Sequence, residues 1–296
     1  LICEPPTTVQ REGPHFAHID EDGPALKRLF DLIGNNTHLQ DVCFDTPLGL
    51  ADAVATSERF DGLKRNESIL SLGLSRCNIL RGVGLETLRA FAENHRRLTK
   101  FTMWHCGIPF GSQDALASML KRCACLEEVS LTCCQIDDRV VEILARAMGG
   151  KRRLRKLDLQ ENNIGSKGCE ALAALVKDPE CGLTKLNLRN NCIDDAGATA
   201  MANALPNNEK LETIHLDRNF VSVSGWSAFS RVLCDPSSVN ATYRSNHTLR
   251  SIVSYDGFKL AGSRMYDEGG AIPSKLFSLV ECNARGCLKG GDRGPV

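Results

Sequence analysis

The sequence is poor in aromatic residues and carries no net charge. Aromatic side chains make up 5% of its 296 residues, and 36 basic side chains balance 36 acidic ones. Domains that bind nucleic acid usually carry a clear basic excess, so this balance argues against a nucleic-acid partner. No apolar stretch approaches the roughly 20 residues of a membrane-spanning helix, so we expect no membrane association. Since 42% of the residues are apolar, the chain can still bury a large aliphatic core.

Motifs of catalysis are also missing. The sequence has no Gly-x-x-x-x-Gly-Lys-Ser/Thr loop and no His-Glu-x-x-His motif, and Gly82-x-Gly84 lacks the third glycine of a dinucleotide-binding loop. His105 and Cys106 are residue types that can act as a general base and a nucleophile. We predict that they face opposite sides of the chain, with Cys106 inward and His105 outward. We therefore expect no enzyme activity and no cofactor.

Residues 154–204 contain one sequence unit written twice. The recurring residues, 29 positions apart, are Leu154, Leu157, Leu159, Asn162, Ile164 and Gly168, followed by Leu183, Leu186, Leu188, Asn191, Ile193 and Gly197. The Leu-x-x-Leu-x-Leu part predicts a short strand whose alternate side chains are buried. The apolar spacing after the glycine predicts a helix, with the glycine letting that helix start close to the sheet. Self-similarity at this period indicates a stack of strand–helix units.

The same unit extends over most of the chain. Its first apolar positions are Leu39, Ile69, Leu98, Leu126, Leu154, Leu183, Leu211 and Leu249. The first unit is degenerate after Phe44, since Pro47 takes the place of the asparagine, and the eighth is a strand without a helix. Atypical terminal units are expected of such a stack.

The asparagine of each unit is predicted to bind backbone groups of its own and the neighbouring unit. Asn162, Asn191 and Asn219 hold this position in later units, and Cys77, Cys106 and Cys134 hold it in earlier ones. We call this column the ladder. Cysteines placed there predict buried, reduced thiols and an intracellular, cytoplasmic protein.

Two further sequence features, closely spaced cysteines and glycosylation sequons, bear on metal binding and on secretion. Zinc sites pair cysteines about two to four residues apart, whereas Cys123-x-Cys125 and Cys133-Cys134 lie at opposite ends of a predicted strand, so we expect no metal. Four Asn-x-Ser/Thr sequons keep a secreted protein as an alternative. They begin at Asn35, Asn66, Asn240 and Asn246.

The composition divides the chain into segments. Residues 1–23 are polar and rich in proline and are predicted to be flexible, and residues 24–38 are predicted to form a helix that caps the stack. The repeat domain covers residues 39–256, with a loop insertion at 234–248, and residues 257–296 are predicted to be an irregular tail. Because the chain begins with Leu1 rather than Met, we expect a fragment or a processed product.

The pattern Leu-x-x-Leu-x-Leu-x-x-Asn/Cys-x-Ile/Leu, with a period of 28 to 29 residues, resembles the ribonuclease-inhibitor-like leucine-rich repeats over about residues 39–254. The resemblance implies an α/β solenoid, or horseshoe, of about seven to eight repeats, with a parallel sheet on the concave face and helices on the convex face. Family members mostly bind other proteins and include inhibitors, immune receptors, ubiquitin-ligase adaptors and the Ran GTPase-activating protein. Val83 and Val140 replace the helix glycine, and there we expect the helix to stand slightly farther from the sheet.

A partner protein is predicted to bind the outward strand positions on the concave face. The predicted contact residues are Trp104, His105, Lys156, Asp158, Gln160, Glu161, Arg189, Asn190, His215, Asp217 and Arg218. Trp104 suits an interface because tryptophan is enriched in binding hot spots; alternatively, it packs on Phe101 or on the first repeats. Arg189 and Arg218 either recognise a carboxylate or pair with Glu161 and Asp217 across units, and we favour pairing.

The expected function is a non-catalytic interaction module or scaffold, monomeric on its own or a subunit of a larger complex. The alternatives are a GTPase-activating regulator, for which Asn190 and Arg218 are available, and a substrate adaptor of a ubiquitin ligase. Basic residues in successive helix-to-strand loops, including Arg97, Lys121 and Lys151, predict either a basic rim for an acidic partner or a solvated edge.

Overall fold

A single parallel sheet runs through the protein, seen in a computed structural model that describes residues 15–16, 23–45, 65–76, 97–108, 111–233, 237 and 245–252. Its strands are β1 (His15–Phe16), β2 (Asp41–Asp45), β3 (Ser71–Ser75), β4 (Lys100–Trp104), β5 (Glu128–Thr132), β6 (Lys156–Asp158), β7 (Lys185–Asn187) and β8 (Thr213–His215). They lie side by side in chain order. After β8, Ser251 adds an isolated parallel bridge to Thr213, which is the weak eighth strand that the sequence predicts.

Helices follow the strands on one side of this sheet. Among the described residues they are α1 (Gly23–Asn35), α2 (Gln113–Arg122), α3 (Asp138–Met148), α4 (Ser166–Lys177), α5 (Asp195–Ala202) and α6 (Val223–Leu233). Each of α2 to α5 packs against the next helix in the chain. The predicted α/β solenoid, with strands on one side and helices on the other, is confirmed.

The core between sheet and helices is built from the repeated apolar positions. Leu98, Leu126, Leu154, Leu183 and Leu211 are all fully or almost fully buried. The alternate strand residues predicted to face the helices are buried as well, among them Phe101, Met103, Val129, Leu131, Leu157 and Leu186. A stacked unit cannot bury these side chains alone, so each repeat depends on its neighbours for stability.

The ladder satisfies backbone groups inside the turns. The Asn162 side chain accepts from the backbone N–H groups of Cys134 (2.9 Å) and Ile136 (3.1 Å) and donates to the Leu131 and Leu159 carbonyls. Asn191 and Asn219 repeat this pattern one and two units later. The Cys134 thiol donates to the Met103 carbonyl at 3.7 Å. The predicted position of asparagine and cysteine in one column is confirmed for these residues, and Cys77 and Pro47 lie outside the described residues.

A second line of asparagines, which the sequence analysis missed, closes the helix-to-strand loops. Asn246 is buried, donates to the Leu205 and Asn208 carbonyls at 2.8 Å, and accepts from the N–H groups of Thr248 and Leu249. Asn66 makes the same four kinds of bond. Two of the four sequons therefore hold structural asparagines whose amide nitrogens are already bonded to backbone carbonyls.

The helix glycines allow neighbouring helices to approach each other. A Cβ added to Gly168 would lie 2.6 Å from the Asp138 carboxylate and 2.7 Å from Ile164, and one added to Gly197 would lie 3.1 Å from the Ser166 Cα. The sequence predicts that each glycine lets its helix start close to the sheet, and the contacts show that it also lets the helix lie close to the start of the preceding helix. The expected shift of the helix at Val140 stays a prediction, and Val83 lies outside the described residues.

In each of the six repeats from β3 to β8, one residue just after the strand adopts the left-handed backbone conformation. These residues are Arg76, His105, Cys133, Glu161, Asn190 and Arg218, with φ between 51° and 57°. We call this set the lip. This conformation costs a non-glycine residue roughly 1–2 kcal/mol. In return, backbone N–H groups at the lip bind the next repeat, as from Arg76 to the Trp104 carbonyl at 2.7 Å and from Asn190 to the Asp217 carbonyl at 3.0 Å.

The N-terminal segment differs in one respect from the prediction. His15 and Phe16 pair with Cys43 and Phe44 as an added strand, although residues 1–23 were expected to be flexible. The helix predicted at residues 24–38 is α1, which buries Phe30 and Ile33 against the first repeat. Residues 253–296 and most of the predicted loop 234–248 lie outside the described residues. Among the residues that are described, no helix has the length and apolar character to cross a bilayer.

Candidate functional site: the concave sheet face

The exposed face of the sheet is organised in columns, because the strands align residue by residue. The first column contains Lys100, Glu128, Lys156, Lys185 and Thr213. The second contains Thr102, Ser130, Asp158, Asn187 and His215. By repeat alignment, the third contains Trp104, Thr132, Gln160, Arg189 and Asp217, and the lip follows it. All eleven predicted contact residues lie in these columns or at the lip.

Trp104 is a half-buried aromatic residue between two repeats. Its ring makes an edge contact with His105, with ring centroids 4.3 Å apart, and the Arg76 guanidinium lies 5.7 Å from its centroid. Phe101 is buried on the other face of the strand, so Trp104 does not pack on it, and the contact with Arg76 is a contact to the preceding repeat. The aromatic surface therefore stays partly open to solvent beside a cation and an imidazole.

Arg189 and Asp217 form an ion pair across adjacent repeats. The Arg189 Nε lies 2.9 Å from the Asp217 Oδ2, and the two side chains are 18% and 3% exposed. This is the pairing that the sequence analysis favoured for Arg189. Asp217 was also predicted to contact a partner and to be dispensable for the core. Its burial corrects the second expectation, and its contact with a partner stays a prediction.

A hydrogen-bonded network covers the next part of the face. Asn187 donates to the Gln160 side chain at 3.1 Å, and Gln160 donates to the Glu161 carboxylate at 2.7 Å. Asp158 accepts from the Gln160 backbone N–H at 3.2 Å. These polar groups hold one another in place, so this region presents a pre-organised surface rather than a set of independent side chains.

The first column contains both paired and unpaired charges. The Lys100 Nζ lies 3.7 Å from the Glu128 Oε2. Lys156 and Lys185 are directly opposite each other on β6 and β7. Within the described part of the chain neither lysine has an ion pair within 4.0 Å.

The lip places further predicted residues at the edge of the face. His105, Asn190 and Arg218 are exposed, and Glu161 is half-buried. The backbone conformation there turns the chain out of the strand, so these side chains border the columns without filling the core. His215 lies half-buried in the second column.

The expected basic rim is only partly available to solvent. Lys151 is 9% exposed and donates from its Nζ to the carbonyls of Lys121 (3.3 Å) and Cys123 (2.9 Å). Burial lowers the pKa of Lys151. Arg152 pairs with Glu180, and Arg97 and Lys121 are exposed. Lys151 is thus a structural residue of the loop rather than part of a binding surface.

The buried thiols are poor nucleophiles. Burial raises the pKa of Cys134 and of Cys169 to about 12 and that of Cys123 to about 11. A raised pKa leaves almost no thiolate at neutral pH, and the thiolate is the reactive form. These cysteines pack as small apolar groups, in agreement with the role predicted for the ladder thiols.

Comparison with known proteins agrees with this geometry. A family model described as Leucine Rich repeat matches residues 122–139, 151–173 and 182–202. The matched segments contain β5 to β7 and parts of the helices that follow them. The matched segments are leucine-rich repeats, and the described part of the chain has the α/β solenoid fold of the ribonuclease-inhibitor-like type.

The chain is similar to several curated proteins over part of their length. NACHT, LRR and PYD domains-containing protein 5 of Mus musculus is 27% identical over 215 residues, which are 71% of this chain and 18% of that protein. NACHT, LRR and PYD domains-containing protein 12 of Mus musculus is 33% identical over 129 residues, covering 43% and 12%. NLR family member X1 of Rattus norvegicus is 35% identical over 95 residues, covering 31% and 10%. The chain therefore spans less than a fifth of each of these relatives.

Proposed function

We propose that this protein is a non-catalytic module that binds another protein on its concave sheet face. The observation that carries the proposal is Trp104, which is half-buried on that face between Arg76 and His105. Tryptophan and arginine are enriched among residues that dominate binding energy. An aromatic ring that already has one side packed loses little conformational freedom when a partner covers the other side.

The rest of the face supports the same proposal. The second column next to Trp104 carries the small polar side chains Thr102 and Ser130, which leave room for a partner to reach the ring. The Gln160 network and the Arg189–Asp217 pair keep the neighbouring surface rigid. A rigid surface pays less entropy on association than one whose side chains must be ordered.

Site-specific photo-crosslinking tests which face is used. A photoreactive residue at Thr102 reports on the concave face, and one at the exposed Glu170 of α4 is the matched control on the helical face. We expect a protein adduct from the Thr102 position and none from the Glu170 position. Adducts from Glu170 alone would contradict the proposal.

Once the crosslinked partner has been purified, its affinity for variants of this chain measures how much Trp104 contributes to binding. We expect Trp104→Ala to weaken its affinity about 30-fold, corresponding to about 2 kcal/mol for a binding hot spot. Phe220→Ala is the matched control, since Phe220 is an aromatic residue with 68% exposure away from the concave columns. Equal losses in the two variants would remove Trp104 as the anchor.

We also propose that the protein works inside the cell, in the cytoplasm. Cys134, Cys169, Cys181 and Cys192 are free thiols, and such thiols persist in reducing compartments. Fluorescence microscopy of the tagged chain with a diffuse cytoplasmic signal would support this location. A signal confined to the secretory pathway would contradict it.

A further inference from the structure

Among the described residues, the sheet face holds a pair of like charges, neither of which has an ion pair within 4.0 Å. Lys156 and Lys185 stand opposite each other on adjacent parallel strands, whose backbones are about 4.8 Å apart. Both side chains leave the same face of the sheet, so the two ammonium groups share one small area. Like charges placed directly opposite each other on a sheet are destabilising.

Other charges on the same face are paired within the chain. Lys100 is beside Glu128, and Arg189 is beside Asp217. Asp158, two residues along the strand from Lys156, accepts a hydrogen bond from the backbone of Gln160. Neither lysine has an ion pair within 4.0 Å in the described ranges.

Charges of both signs surround the two lysines. Glu128 lies opposite Lys156 on β5 and is 3.7 Å from the Lys100 Nζ. Arg155 precedes Lys156 and is exposed, and its guanidinium donates to the Gly182 carbonyl at 3.1 Å. Lys185 is followed on the next strand by the neutral Thr213. The net result is a cationic spot on a face whose remaining charges are largely balanced.

We propose that Lys156 and Lys185 together hold an acidic segment of the partner protein, with carboxylates of that segment lying between the two ammonium groups. This inference rests on the proposed function and specifies the chemistry of the partner. A carboxylate at this place would relieve the repulsion between the lysines, so binding would remove an unfavourable contact as well as form favourable ones. Salt would weaken the contact because the lysines are at the surface, where the Debye screening length is about 8–10 Å at 0.10–0.15 M ionic strength.

The partner is a protein segment rather than a nucleic acid or a lipid surface. The chain has equal numbers of basic and acidic residues, whereas proteins that bind phosphate backbones rely on an extended basic surface. Glu128 and Asp158 border the pair in the first and second columns, and these carboxylates would repel a continuous row of phosphates. A short segment with two or three acidic side chains fits between them.

The experiment measures binding of an immobilised hexaglutamate peptide to the whole chain by biolayer interferometry at low salt. Hexaglutamine is the neutral control peptide, and a six-nucleotide thymidine strand and phosphatidylserine vesicles are the alternative anions. The test variant is Lys156→Gln/Lys185→Gln. The matched control is Lys167→Gln/Lys177→Gln, which removes two exposed lysines of α4.

We expect hexaglutamate to bind the wild type at least tenfold more tightly than it binds the Lys156→Gln/Lys185→Gln variant. The α4 variant should bind as the wild type does, and hexaglutamine should not bind. Absence of hexaglutamate binding up to millimolar concentration, or equal binding by both variants, would overturn the proposal. Tighter, lysine-dependent binding of the oligonucleotide or the vesicles would also overturn it. If crosslinking from Thr102 still succeeds in any of these cases, the concave face remains the binding face and only the acidic segment is wrong.

Discussion

Arg189 and Asp217 are joined across two repeats by a 2.9 Å contact between the Arg189 Nε and the Asp217 Oδ2. Since the aspartate is 3% exposed, removing Arg189 takes an opposite charge away from a buried carboxylate. We expect Arg189→Ala to lower the free energy of unfolding by about 3 kcal/mol, the lower end for broken buried pairs. Urea unfolding measures this loss.

The control for that variant is a double substitution that removes both charges. Arg189→Met/Asp217→Asn should be clearly more stable than Arg189→Ala, because the buried carboxylate is removed together with its cation. If Arg189→Ala were as stable as the wild type, the pair would not contribute to the fold. Arg189→Ala is therefore unsuitable as a probe of partner binding unless its stability is measured first.

Gly182 has no room for any side chain. A Cβ there would lie 2.0 Å from the Arg152 carbonyl oxygen and 2.7 Å from its carbonyl carbon. Because both neighbours are backbone atoms, the loops of two repeats would have to separate. We expect Gly182→Ala to cost about 3 kcal/mol or more in a thermal or urea unfolding experiment, at the upper end for overpacking.

Gly149→Ala tests whether the effect of Gly182→Ala comes from this overlap. A Cβ at Gly149 would lie 3.5 Å from the nearest atom, the Arg146 carbonyl oxygen, which is an ordinary contact. The unfolding free energy of Gly149→Ala should stay within about 0.5 kcal/mol of the wild-type value. A similar loss in both variants would refute the steric explanation.

Asn162 is expected to be far more important for stability than the adjacent Asn163. Substitution of Asn162 by alanine leaves the N–H groups of Cys134 and Ile136 and the carbonyl of Leu131 without the amide that binds them, whereas the Leu159 carbonyl keeps its bond from Asn191. Each unsatisfied buried group costs about 1–3 kcal/mol, so we expect a loss of at least about 3 kcal/mol. Asn163 is exposed, and Asn163→Ala should be nearly neutral by the same measurement.

Stability should fall on the alkaline side because of the buried thiols. Cys134 and Cys169 have pKa values raised by burial from 9.0 to about 12. Below pH 9 both states keep the proton, whereas above it the unfolded chain loses the proton first and is favoured. Between pH 9 and 12 each of these thiols should therefore cost about 1.4 kcal/mol per pH unit.

Urea midpoints between pH 8 and pH 10.5 measure this dependence, and Cys134→Asn provides the comparison. That variant places at position 134 the residue found at the same ladder position in later repeats, so it removes one titrating group without emptying the site. The stability of Cys134→Asn should fall less steeply with rising pH than that of the wild type. Identical slopes would show that Cys134 does not titrate in this way.

Much of the fold follows from the spacing of a few residue types. The first leucine of each unit, the alternation in Leu157 and Leu159, and the ladder asparagine are set by local pattern and stacking, and the strands lie where these residues predict. Burial at the concave face does not follow from spacing. Asp217 has the outward position of its strand, but the arginine of the preceding repeat covers it, and such coverage depends on how two repeats meet.

One of the missed features could have been found from the sequence, and two could not. Asn66, Asn208 and Asn246 each stand three positions before the first apolar residue of a unit, which is a visible signal for the second asparagine line. The buried Lys151 takes the same position without resembling them. The left-handed residues carry no signal, since Arg76, Cys133 and Glu161 are not residue types that favour this conformation.

The lip has a consequence for how such a scaffold can acquire new specificity. Arginine, histidine, cysteine, glutamate and asparagine all adopt nearly the same φ at this position, and the backbone N–H, rather than the side chain, makes the recurring bond to the next repeat. The turn accepts side chains of different chemistry at this position. The side chains of the lip can therefore be substituted one at a time along the border of the sheet while the backbone beneath them keeps its conformation.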